Sequence, residues 1–120
     1  MRSLRPHKNL VAWQESIGLV KDIYALCEKL PENEKFGISS QLKRAATSVP
    51  ANIAEGAARN TSKEFIYFLS IANGSLSEID TFLTIIMELS FSKESEIKFI
   101  FERMEKVGAL INGLLKSLKA

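Results

Sequence analysis

The stretch TSKEFIYFLSIANGSLSEIDTFLTIIMEL, residues 61–89, decides the fold. Thr61 and Glu64 stand at the spacing of a capping box, in which the residue before a helix and the third residue inside it satisfy free backbone donors. Apolar residues then recur every three or four positions, the period of a buried helix face. Phe65, Leu69, Ala72, Leu76, Ile79, Leu83 and Ile86 make one seam, and Phe68, Ile71, Phe82, Ile85 and Leu89 make a second. A helix that faces only its own core needs an apolar stripe of roughly 100°. This helix is wider than that. Monomers rarely expose large contiguous apolar patches, so the surplus predicts a subunit interface.

Three more helices flank this one. Toward the N-terminus, Asn9 is a good N-cap for a first helix. Leu10, Trp13, Ile17, Val20, Tyr24 and Cys27 form its expected buried stripe, with Leu19, Ile23, Leu26 and Leu30 beside it. Pro31 stops it, because proline disfavours helical backbone in the residue before it. The second helix begins between Glu34 and Ser40 and turns Ile38, Leu42, Ala45, Ala46, Val49, Ile53 and Ala57 inward. Pro50 lies inside it and predicts a kink or a short break. Ala45, Ala46, Ala51, Ala54, Gly56, Ala57 and Ala58 let another helix approach closely. Past residue 89, Ser92 is the expected cap of the fourth helix. Glu94 and Glu96 suit its positive end, and Lys116 and Lys119 its negative end. Ile97, Ile100, Phe101, Met104, Val107, Ile111, Leu114, Leu115 and Leu118 face inward. Short connections between four helices imply antiparallel neighbours. The fold class is therefore all-α, an antiparallel up-and-down four-helix bundle in a single domain, residues 1–120, with a basic leader over about residues 1–8.

Length and composition agree. A chain of 120 residues buries roughly two thirds of its unfolded surface, enough for a core without metal or disulfide staples. No apolar run reaches the ~18 residues of a membrane span, and the basic leader lacks the apolar region of a signal peptide. The lone Cys27 cannot form an internal disulfide, which fits a reducing cytoplasm. The net charge is +2, unevenly placed. Residues 1–63 carry ten Lys/Arg against six Asp/Glu, and residues 64–120 carry six against eight.

Residues able to carry catalysis are few. His7, the one histidine, lies in the leader and reads as a mobile surface residue. Cys27 falls on an apolar stripe, where a small core hydrophobe is the better reading than a nucleophile. A di-metal carboxylate site of the kind bundles host needs a pair of Glu-x-x-His motifs, which one histidine cannot supply. No glycine-rich phosphate loop and no zinc spacing are present. Glu78 and Asp80 point to different faces. No enzyme, metal or cofactor is expected.

Two features stand out instead. Arg44, Ser48, Asn52, Glu55 and Arg59 share one face of the second helix, either as a solvated face or as a hydrogen-bonding strip against a neighbouring helix or subunit. Within it, Glu55 and Arg59 are placed to pair at i,i+4. Arg2, Arg5 and Lys8 in the leader, Lys43 and Arg44 on the second helix, and Arg59 and Lys63 around the next turn supply the basic excess. Lys and Arg on phosphates are the largest source of nucleic-acid affinity.

The segment from Gln41 to Gly56, QLKRAATSVPANIAEG, closely resembles the signature of the 23S rRNA intervening-sequence protein family, also labelled S23 ribosomal proteins or four-helix bundle proteins. Agreement continues through Ser62–Phe65, Phe68-Leu69, Ile71-Ala72, Gly74–Leu76 and Glu78, and extends to Trp13, Leu30-Pro31 and Phe36-Gly37. The resemblance implies a left-handed bundle assembling into a homopentameric ring in a bacterial cell. It also implies the company of accessory proteins whose basic pentamers bind nucleic acid and a reverse transcriptase. The family has no established catalytic activity. Together, residues and resemblance predict a noncatalytic oligomer that binds RNA or DNA through Arg44, Arg59, Lys63, Lys43, Arg2, Arg5 and Lys8. The alternative is a homo-oligomeric scaffold that docks a protein partner and touches no nucleic acid.

Overall fold

Helix periodicity carries directly into the computed structural model, which describes residues 5–120. α1 spans Val11–Glu28, α2 Ile38–Ala57, α3 Ser62–Glu88 and α4 Glu94–Lys119, with single 3-10 turns at Pro6–Asn9 and Glu32–Glu34. No strand occurs among the described residues. α1 packs on α2 and α4, and α3 packs on the same two, so the helices sit in ring order with the diagonals apart. Pairs across the seams run in opposite sense, Asp22 to Arg103 and Lys29 to Glu96 between α1 and α4. This is the antiparallel up-and-down bundle. No helix among the described residues is long and apolar enough to cross a membrane.

The core is a column of interlocked aliphatic side chains. Leu19 and Ile23, Leu42, Val49 and Ile53, Leu69, Ile79, Leu83 and Ile86, and Ile97, Val107 and Ile111 are fully enclosed. On α1 the two apolar stripes exchange roles relative to the sequence reading. Leu19, Ile23, Leu26 and Leu30 enter the core, whereas Ile17 is 36% and Tyr24 43% exposed. Leu10, Trp13 and Val20 of that outer stripe are half-buried, and only its Cys27 is buried. Spacing alone cannot rank two adjacent apolar stripes; packing against α4 does, through Glu15 and Asp22 on the flank opposite Trp13 and Tyr24. The second seam of α3 stays largely outside as expected, with Ile71, Ile85 and Leu89 exposed.

Helix ends differ in detail from the sequence reading. α1 starts one residue later than expected, because Asn9 closes the 3-10 turn and Leu10 occupies the cap position. Thr61 caps α3, accepting from the Glu64 N–H at 3.2 Å while its own hydroxyl donates to Glu64 Oε1 at 3.0 Å. Lys93, not Ser92, is the residue before α4; the Ser92 hydroxyl instead donates to Glu96 Oε2 at 3.2 Å. α3 closes with Phe91 N–H on the Ile86 carbonyl and Ser90 N–H on that of Met87, the Schellman pattern. Ser90 takes the left-handed position with φ of 56°, where glycine is the usual occupant. Pro50 produces no break: α2 is helical throughout, with Pro50 buried. The Ala46 carbonyl lacks a donor four residues on, and helix–helix packing holds the segment regardless.

α2 and α3 approach closely at Gly56. A Cβ on Gly56 would stand 2.8 Å from Phe65 Cδ1, 3.0 Å from Phe68 Cβ and 3.3 Å from the Phe65 carbonyl oxygen. The α1–α4 seam is built differently. Arg103 lies over Gly18, where a Cβ would collide with its guanidinium. It reaches Asp22 at 3.1 Å and Glu15 at 3.6 Å. Lys106 meets Glu15 at 2.7 Å, and Lys29 meets Glu96 at 3.0 Å.

Two backbone predictions follow from packing. Gly56→Ala gains up to ~1 kcal/mol of helix propensity but overpacks the α2–α3 contact by about 1–3 kcal/mol, so urea melts should show net destabilisation. Ser90→Gly relieves a left-handed side-chain penalty of roughly 1 kcal/mol and should stabilise. A neutral Gly56→Ala would mean that the helices part without cost.

Acid should weaken the α1–α4 seam. The hydrogen bond from Lys106 holds the Glu15 carboxyl below the ordinary carboxylate range, and that from Lys29 does the same for Glu96. Carboxyls depressed in the folded state stabilise it fully above the unfolded range near ~4.3 and lose that contribution as pH falls through their folded values. The melting temperature should therefore drop between about pH 6 and about pH 3, and drop less in a Glu15→Gln, Glu96→Gln double variant. Equal drops would remove these two pairs as the cause.

Candidate functional site

Because α2 is unbroken, its polar residues do form one strip, and the two readings of it divide along its length. In the middle the strip meets α3. Ser48 and Asn52 are half-buried; Asn52 Nδ2 donates to the Ser48 carbonyl at 2.8 Å and to Ser48 Oγ at 2.9 Å. Ser75, buried on α3, hydrogen-bonds Ser48 Oγ across the seam at 2.9 Å. Beside this relay Gln41, Arg44, Ser48, Ser75 and Glu78 line an open polar groove of about 300 Å³. At its ends the strip is solvated. Arg59 donates to Glu55 at 3.2 Å, the expected i,i+4 pair, lies 3.9 Å from Glu64 and stacks its guanidinium 5.0 Å above the Phe68 ring.

The candidate basic residues fall into two groups. Lys43 and Arg44 sit on the flank of the bundle and turn to opposite sides of α2. Lys43 holds its ammonium 4.9 Å above the Tyr24 ring on α1, while Arg44 shares the α2–α3 groove with Glu78. Arg59 and Lys63 lie about 22 Å further along, at 1.5 Å per helical residue from Arg44 to Arg59. The Pro6–Asn9 turn packs against α2, and antiparallel pairing of α1 with α2 puts that turn at the same end as Arg59. Arg5 and Lys8 thus join Arg59 and Lys63. Arg2 lies outside the described residues. The C-terminal half of α4 arrives there too, with Leu110, Gly113 and Leu114 beside Asn9–Ala12. It carries Lys116 and Lys119, which sequence reasoning assigned only to dipole complementarity. Their i,i+3 spacing near a helix end marked them as a pair; only the topology shows what they neighbour.

His7 rests edge-on against Trp13 at 5.0 Å between ring centroids. Cys27 is buried, burial pushes its thiol up from the ordinary range, and its Sγ lies 3.8 Å from the Ser39 carbonyl as a weak donor. No cluster of three or more His, Cys, Asp or Glu suited to a metal ion occurs among the described residues.

The topology and its surface define an up-and-down four-helix bundle with polar groups arrayed along α2 and at one end. Residues 8–113 match the family model of the 23S rRNA-intervening sequence protein, and the chain belongs to that family. A crystal structure of a protein of unknown function from the S23 ribosomal protein family of Bacteroides thetaiotaomicron VPI-5482 is similar in fold. It superposes with a TM-score of 0.82 at 24% identity, over 88% of this chain and 96% of that one. No functionally curated protein matches the chain.

If the Ser48–Ser75 relay ties α2 to α3, Ser75→Ala should destabilise by about 0.5–1.5 kcal/mol, the net worth of a partly buried hydrogen bond. Asn52→Ala should cost a similar amount. Unaltered chemical denaturation in both variants would assign the strip to solvent.

Proposed function

We propose that the chain is a noncatalytic, self-associating bundle that binds RNA or DNA by contacts to the phosphate backbone. The observation that carries this reading is the state of its cations. Lys8, Lys63, Lys116 and Lys119 are exposed and form no ion pair among the described residues, whereas Arg103, Lys106 and Lys29 are engaged in the α1–α4 seam. Exposed cations without intramolecular partners are the groups that release counterions when they meet phosphates. Family membership adds support, since the family model is named for an rRNA intervening sequence.

Self-association draws on the exposed apolar residues. Tyr67, Ile71, Ile85 and Leu89 line α3, and Ile17 and Tyr24 line α1. Two different faces favour head-to-tail contacts, which close into rings, and the family resemblance suggests five subunits. Five copies of a +2 chain carry about +10, and repeated weak sites raise avidity without new contacts. With its unpaired, buried Cys27, the protein suits a reducing cytoplasm.

Fluorescence anisotropy on protein of mass fixed by light scattering tests the reading. Binding should weaken by orders of magnitude between ~50 and ~200 mM salt. Absence of binding at ~50 mM salt would instead support a scaffold for a protein partner, captured in a nuclease-insensitive manner.

A further inference from the structure

Charge on this bundle is segregated along its long axis. One end gathers Arg5, Lys8, Arg59, Lys63, Lys116 and Lys119 against two carboxylates, Glu55 and Glu64. Both of those carboxylates face Arg59. At the opposite end, where α1 and α3 finish and α2 and α4 begin, Glu28, Glu32, Glu34, Glu88, Glu94 and Glu96 outnumber Lys29, Lys35 and Lys93. With Lys98 of the second turn of α4 added to the latter, six cations against two carboxylates at one end and six carboxylates against four cations at the other give about +4 and −2. Each end holds two helix N-termini and two C-termini, so the helix dipoles cancel. The side chains set the field.

We propose that nucleic acid is engaged end-on, by the surface that joins the Pro6–Asn9 turn, the α2–α3 turn and the last turn of α4. The partner is the phosphate backbone of RNA or DNA, and the proposal rests on the nucleic-acid reading above. Lys116 and Lys119 become part of the contact, and Lys43 and Arg44 fall outside it. Lys43 is engaged with the Tyr24 ring, and Glu78 shares the groove of Arg44 and opposes an anion there. The two shorter dimensions of the bundle are 30 and 23 Å. At 3.4 Å per phosphate along a strand, such an end spans roughly seven to nine nucleotides. Lys8, Lys63, Lys116 and Lys119 are exposed on three separate elements, so they track a backbone instead of gripping one anion. Contacts of this kind position a nucleic acid and carry no sequence preference.

The test compares two triple variants of equal net charge. Lys63→Gln, Lys116→Gln, Lys119→Gln empties the basic end; Lys35→Gln, Lys93→Gln, Lys98→Gln removes the same charge around the acidic end. Glutamine avoids placing a negative charge at the C-terminus of α4. Circular dichroism checks that both variants keep their helix content, and light scattering reads their mass. Anisotropy is then read on labelled DNA duplex and RNA of about 20 nucleotides, enough to span the end twice over. The first triple should weaken binding by roughly tenfold or more and flatten the slope of log K against log salt by about 0.9 per lysine engaged on duplex DNA. The second should bind as the unaltered protein does. Equal weakening by both would reduce the effect to net charge and overturn the end-on contact, as would full binding by the first triple. Loss of self-association in the first triple alone, with nucleic-acid binding retained, would assign the basic end to the acidic end of another copy. If the unaltered protein binds neither probe at ~50 mM salt, the nucleic-acid reading itself fails.

Discussion

The seam between α2 and α3 fixes everything else in this bundle. Helices approach to a distance set by the side chains between them, and α2 presents Ala45, Ala46 and Gly56 to the core side. With no Cβ at Gly56, Phe65 and Phe68 of α3 lie directly on the α2 backbone. That contact lies just before a four-residue connection, Ala58–Thr61, and so sets the angle at which α3 returns. It also places Arg59 where its guanidinium can cover Phe68. A buried Pro50 is tolerated within the same helix because packing, more than any one backbone hydrogen bond, holds the segment.

The opposite seam uses a different interaction. Between α1 and α4 the contacts are ion pairs, with Arg103 lying over Gly18 and the carboxylates of Glu15 and Asp22 on either side. Such partly exposed pairs contribute modestly to stability. They do fix register, since Arg103 has one gap to enter. They also engage Arg103 and Lys106 in the middle of the bundle, while Lys8, Lys63, Lys116 and Lys119 stand in solvent at one end. The excess of cations over carboxylates at that end gives the molecule a positive pole.

Much of the architecture was legible in the residues. The Thr61–Glu64 cap, the two seams of α3 and the inner face of α4 follow from period and capping chemistry, which are local. Two features were not. The choice between the adjacent stripes of α1 depends on where α4 lies, and spacing holds no information about a neighbour 80 residues away. Likewise Ser90 in a left-handed position carries no mark in its side chain; the turn demands that backbone, and serine occupies it. The candidate site divides the same way. Ser48, Asn52, Glu55 and Arg59 were found by helical spacing. The company of Arg5 and Lys8 with Lys116 and Lys119 arises from topology that joins the two ends of the chain.

Hydrogen–deuterium exchange, recorded with and without a saturating oligonucleotide at low salt, reads the contact surface residue by residue. Amide protection at residues 7–10, 58–64 and 114–119 is the expected result, with residues 41–52 of α2 and the acidic end unchanged. Protection centred on the α2–α3 groove around Arg44, or spread evenly over both ends, would contradict an end-on contact.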